Sequence, residues 1–147
     1  MKRIELAVKK KSDYLLKAQS NYLTLRDDCL NLANEINFWL HKKDVCECVV
    51  TTDSMSDNVI INCYISDYHF QLRLKPVVEN SKQFIDLVVF DTEYPSNKLT
   101  MNILRGRTKW RIKYFVRGNG WFRFALNRTL SPKLIESIFL YFIKINS

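Results

Sequence analysis

The chain has 147 residues, of which 47% are hydrophobic, 13% aromatic and 26% charged. That balance suits one globular domain spanning 1–147 with a core of its own, and it excludes a disordered or fibrous protein. Twenty-three basic residues against fifteen acidic ones leave a net charge of +8, which points to a polyanionic partner.

The N-terminus is polar and shows no apolar signal segment, and the longest apolar run, 134–145, is interrupted by Glu136 and Lys144. It is too short to span a bilayer, so the expectation is a cytoplasmic protein with no membrane association. Residues 15–39 predict a long helix. Leu15, Ala18, Tyr22, Leu25, Cys29, Leu32, Ile36 and Trp39 step alternately by three and four, with Leu16, Leu23 and Leu30 widening the stripe. Ser12 or Asp13 is the expected N-cap, and Lys42 and Lys43 the favourable close at the C-terminal end. A stripe this wide suits packing on the chain's own sheet, and it also offers a homodimer seam. Asp27 and Asp28 are placed on the solvated side of that helix.

From residue 45 the period changes to two. Strands are expected over 45–52, 59–66 and 68–75, the third ended by Pro76, then over 84–90 as a central strand and over 99–104. Ser131 followed by Pro132 marks the start of an apolar C-terminal helix over 134–145, a second surface for homodimerisation. The expected fold is α+β: a long N-terminal helix, an antiparallel meander of about five to seven strands ending in a basic hairpin, and the C-terminal helix packed on the sheet.

Between Glu93 and Glu136 there is no acidic residue, yet the interval carries Lys98, Arg105, Arg107, Lys109, Arg111, Lys113, Arg117, Arg123, Arg128 and Lys133. The remaining chain, with 13 basic and 15 acidic residues, sums to −2, so this interval holds the whole positive field. Within it, 107–117 alternates. Thr108, Trp110, Ile112, Tyr114 and Val116 form the expected core face, and Arg107, Lys109, Arg111, Lys113, Phe115 and Arg117 the solvent face. Gly118, Asn119 and Gly120 are read as a three-residue turn that pairs Phe115 with Arg123, Tyr114 with Phe124 and Ile112 with Leu126. The hairpin at about 105–128 thus presents Arg105, Arg107, Lys109, Arg111, Lys113, Arg117, Arg123 and Arg128 around Phe115 and Trp121. Cations spaced about 6.8 Å apart along a strand can follow a phosphate backbone, and exposed aromatics can stack on bases.

Recognisable catalytic motifs are absent. Asp86, Asp91 and Glu93, with Lys98 nearby, lack the pattern of a metal-dependent nuclease, and Asp91 and Glu93 read as ordinary loop acids. His69, Asp67 and Cys63 make no catalytic set. Cys29, Cys46, Cys48 and Cys63 are read as reduced, buried thiols. Cys46 and Cys48, two residues apart, are taken to face opposite sides of a strand and so to share no metal; no cofactor or metal is expected. The functional expectation is a non-enzymatic binding or regulatory protein that contacts DNA or RNA through the basic hairpin. Its alternative is a protein-binding inhibitor or accessory module that seats the same ribbon on an acidic or nucleic-acid-binding protein surface, as anti-defence and toxin-neutralising proteins of mobile elements do.

Overall fold

The computed structural model describes residues 1–41, 46–53, 55–79, 82–117 and 123–146, with backbone alone for 114–117 and 123–128. The order is α1 (Lys2–His41), β1 (Cys46–Thr52), β2 (Val59–Ile65), β3 (Tyr68–Glu79), β4 (Lys82–Asp91), β5 (Lys98–Arg105), β6 (Trp110–Arg117), β7 (Arg123–Thr129) and α2 (Pro132–Ile145). The strands form one seven-stranded sheet in the order β1 to β7, every neighbouring pair antiparallel. This is the helix, meander and helix that the change of period implies, with β4 at the centre.

Both helices cover one face. Leu25, Cys29, Leu32 and Ile36 of α1 share a buried cluster with Ile61, Cys63, Phe70, Leu72, Leu87 and Met101 of the sheet. From α2, Ile135, Ile138, Phe139 and Phe142 enter the same cluster. Phe70 stacks on Phe139 with centroids 4.6 Å apart. Each fully buried side chain of this size contributes about 1.5–3 kcal/mol, so the face is held by its apolar area. Ser131 caps α2, its hydroxyl oxygen accepting from the Leu134 N–H at 3.2 Å, with Pro132 in the first turn.

The opposite face is open. Along it, Asn62 Oδ1 contacts His69 Nε2 and accepts from Gln71 Nε2, each at 3.0 Å, and Arg73 Nε donates to Gln71 Oε1 at 2.7 Å. His69 stacks on Tyr64 at 4.3 Å, and the Arg73 guanidinium lies 5.0 Å from the Phe90 ring centroid.

Five expectations are corrected. Helix α1 begins at Lys2, well before Ser12 and Asp13, because no proline or glycine interrupts its first turns and Lys, Ala and Leu are good helix formers. Its stripe is buried from Leu25 onward, whereas Ile4, Val8 and Leu15 are exposed, as are Leu16, Leu23 and Leu30. Pro76 does not end β3: it pairs with Ile85 beyond the last β2 partner, the Val59–Leu74 pair, so no β2 strand needs its missing N–H. Asp28 is 6% exposed rather than solvated, and Asp91 is no loop acid. It ends β4, is 2% exposed, and accepts from the Glu93 N–H and from Asn146 Nδ2 at the end of α2. Lys42 and Lys43 lie outside the described residues.

Candidate nucleic-acid interface

The basic interval runs through β5, β6, β7 and the start of α2. Lys98 is exposed at the start of β5 and Lys133 in the first turn of α2. At the end of β5, Arg105 Nη1 donates to Asp28 Oδ1 of α1 at 2.8 Å. The Trp110 indole N–H donates to Glu35 Oε2 of the same helix at 2.6 Å. These two bonds clamp the β5–β6 turn on α1 through charge-assisted contacts, which are the strong ones. Arg105 is therefore an anchor, its charge matched by a buried carboxylate.

The turn itself depends on Gly106. Its N–H donates to the Lys109 carbonyl at 2.8 Å, and a side chain there would run into the same carbonyl. This tight approach throws Arg107 and Lys109 outward, both exposed. A cleft of about 380 Å³ separates them from Asp28 and Glu35 on the helix wall. Further along, Arg111 and Lys113 are exposed while Trp110 and Ile112 are buried, so the expected alternation holds over 110–113. Among the described residues, Arg107, Lys109, Arg111 and Lys113 have no carboxylate partner.

The expected β6–β7 register holds on neither side of Lys113. Ile103 pairs with Ile112 but Asn102 with Tyr114, so the ladder shifts by one residue at Lys113. A second shift on the β7 side pairs Ile112 with Arg128, Tyr114 with Ala125, Phe115 with Phe124 and Val116 with Arg123. Sequence reasoning assumed a three-residue turn and an unbroken ladder: the pairs nearest the turn are already one residue off the register that turn predicts, and the bulge reverses which residues share a face. Position 115 consequently falls opposite Met101 and position 117 opposite Leu99, both on the helix-covered side. Positions 111 and 123 fall in rows of the open face, opposite Leu104 and Val116 respectively. The single cationic face is divided at the bulge. The Gly118–Asn119–Gly120 turn and Trp121 lie outside the described residues, as do the side chains of Phe115, Arg117, Arg123 and Arg128.

Asp86 stands on the open face between Lys75 and Asn102, away from Asp91, which is engaged in holding the end of α2. Burial raises the Asp86 pKa and the Lys75 charge opposes that shift. His69 is committed to Asn62 and Tyr64.

A cluster that the sequence reading missed lies on the covered face. Residues two apart in a strand point to the same side, so Cys46 and Cys48 face the core together, contrary to the reading above. Cys48 pairs directly with Cys63 of β2. Sγ of Cys48 is 3.3 Å from Sγ of Cys46 and 3.3 Å from Sγ of Cys63. Hydrogen bonding from Cys48 and Cys63 holds Cys46 well below the usual thiol range, while bonding with Cys46 and burial push Cys48 and Cys63 up. Pairing the two predicted strands across the 53–58 turn was the signal that could have brought Cys48 and Cys63 together.

No protein family matches the chain, and no curated protein or solved structure is significantly similar to it.

Proposed function

We propose that this is a non-enzymatic nucleic-acid-binding protein whose contact surface centres on the β5–β6 turn and the adjoining part of β6. The run Arg107, Lys109, Arg111 and Lys113 carries the reading: four exposed cations close together, none with a carboxylate partner among the described residues. Such a group repels itself and is stabilised by an anionic chain, with release of that chain's counterions. Position 123, in an open-face row opposite Val116, adds a further cation on β7. On the open face the stacked Tyr64–His69 pair and the Arg73 guanidinium offer planar groups of the kind on which bases stack. Arg105 has a positioning role, because its partner Asp28 fixes the turn that displays the others. Among the described residues no helix is long and apolar enough to cross a membrane. The four free cysteines favour a reducing, cytoplasmic setting.

Fluorescence anisotropy with labelled single-stranded DNA, duplex DNA and RNA at low salt tests the proposal. Binding to at least one probe is expected, with loss of it in the Arg107→Glu, Lys109→Glu, Arg111→Glu triple variant. Absence of binding to all three probes sinks the reading. Stoichiometric recovery of an acidic protein that depends on the same cations would put a protein surface in place of the nucleic acid.

A further inference from the structure

We propose that Cys46, Cys48 and Cys63 form a binding site for a thiophilic divalent metal ion, with Zn²⁺ as the ion it would hold. The three sulfurs come from adjacent strands and converge: all lie within 4.8 Å of one another. A zinc ion about 2.3 Å from each of three thiolates at tetrahedral angles needs sulfur separations of about 3.8 Å. The observed separations, two of 3.3 Å and a third of at most 4.8 Å, bracket that value, so side-chain adjustment suffices and the ladder can stay in register.

The surroundings favour a shared ligand over three unrelated core thiols. Cys46, Cys48 and Cys63 are 7%, 7% and 0% exposed. Among the described residues their sulfurs contact polar atoms only in one another. Cys29 shows the ordinary alternative, a buried cysteine on α1 outside this group. Soft thiolates select zinc over the hard cations that carboxylates bind. Entry is available beside Cys46, where a cavity of about 180 Å³ lies between the end of α1 and α2, walled by Trp39, Leu40, Ile65, Phe139 and Ile143. Three thiolates leave one corner of a tetrahedral ion to water.

Binding replaces three S–H protons: Zn²⁺ and three thiols give a zinc tris-thiolate and three protons released to solvent. Affinity therefore falls as pH is lowered. The ion would fasten β1 to β2 where α1 and α2 both end. This does not depend on what the basic turn binds.

The test uses the full chain, reduced and stripped of metal, titrated with Co²⁺ as a spectroscopic stand-in. One ion per chain is expected, with sulfur-to-cobalt charge-transfer bands that Zn²⁺ abolishes by displacement. Cys48→Ser and Cys63→Ser should each lower Co²⁺ affinity about 100-fold or more, whereas Cys29→Ser should leave it unchanged. Should the serine variants fail to fold, wild-type protein still decides. Zn²⁺ should raise its Tm, and a mercurial thiol reagent should release one zinc per chain. The proposal is overturned if wild type shows no charge-transfer bands and no Tm shift, or if folded serine variants keep the bands. A Cys48–Cys63 disulfide in freshly purified protein, seen as a mass lower by one H₂, would also overturn it.

Discussion

Arg105 and Asp28 stand 77 residues apart in the chain and meet at 2.8 Å, joining the first cation of the basic turn to the middle of α1. The Asp28 side chain is 9% exposed and that of Arg105 is 64% exposed, so the carboxylate depends on this partner more than the guanidinium does. Arg105→Ala should destabilise the fold by about 1–3 kcal/mol, the penalty for a buried acceptor left without its donor. Adding Asp28→Asn should restore part of the loss, because an amide costs less to bury unpaired than a carboxylate. Urea unfolding of the two single variants and the double variant reads this directly. A double variant no more stable than Arg105→Ala would dismiss the account.

Phe70 is fully buried and stacked on Phe139, with Phe142 6.3 Å away between centroids. Phe70→Ala removes the ring on which α2 rests and should cost about 3–5 kcal/mol in chemical denaturation. Leu140→Ala, half-exposed on the same helix, is the matched control and should cost far less.

Asp86 is predicted to weaken the fold at neutral pH. Burial raises its pKa above the ordinary 3.8, only partly opposed by Lys75. Below that ordinary value the carboxyl is protonated in the folded and unfolded chain alike. As pH climbs past it, the unfolded chain loses the proton first, so stability falls until the folded group ionises too. Asp86→Asn should remove that fall and raise stability at pH 7 by under ~1 kcal/mol, the side chain being only half-buried. Unfolding midpoints compared across acidic and neutral pH give the answer. Equal gains at every pH would contradict the mechanism.

Residues 1–13, which include the first turns of α1, are all exposed. Deleting them should change the stability of the remaining chain by no more than about 0.5 kcal/mol, measured by thermal unfolding. A large loss would mean that this stretch is covered in solution, and light scattering would then identify a homodimer formed along the stripe.

If the basic turn holds a nucleic acid through its phosphates, the logarithm of affinity should fall linearly with the logarithm of salt concentration. Replacing Lys109 by Ala should shallow that slope by about one unit while leaving sequence preference unaltered. A slope that does not respond to Lys109 would move the phosphate contacts elsewhere on the molecule.

The architecture was readable because period and punctuation agree with tertiary structure over most of the chain. The heptad steps from Leu25 to Ile36 mark the buried stripe of α1, alternation marks the strands, and Ser131–Pro132 marks the start of α2. What escaped depends on relations between elements. Nothing near Asp28 reveals that Arg105 will arrive beside it. Nor does the 107–117 alternation reveal a bulge at Lys113, because a bulge leaves composition unchanged while reversing the faces beyond it. Pro76 misled for a related reason: a proline reads as a strand end until it is known where the neighbouring strand stops. The cysteine cluster was within reach, since i and i+2 share a face and the β1–β2 turn sets Cys48 against Cys63.

The meander has a consequence for how the chain assembles. Every strand pairs with the strand made just before it, so the sheet can grow one hairpin at a time as the chain leaves the ribosome. Helix α1, synthesised first, has no such neighbour. Its apolar stripe needs a platform that includes β1 through β4, and its polar ties to Arg105 and Trp110 span 77 and 75 residues. The leading element of the chain is thus among the last that can lock, and until β5 and β6 emerge its buried acid Asp28 waits without a counterion.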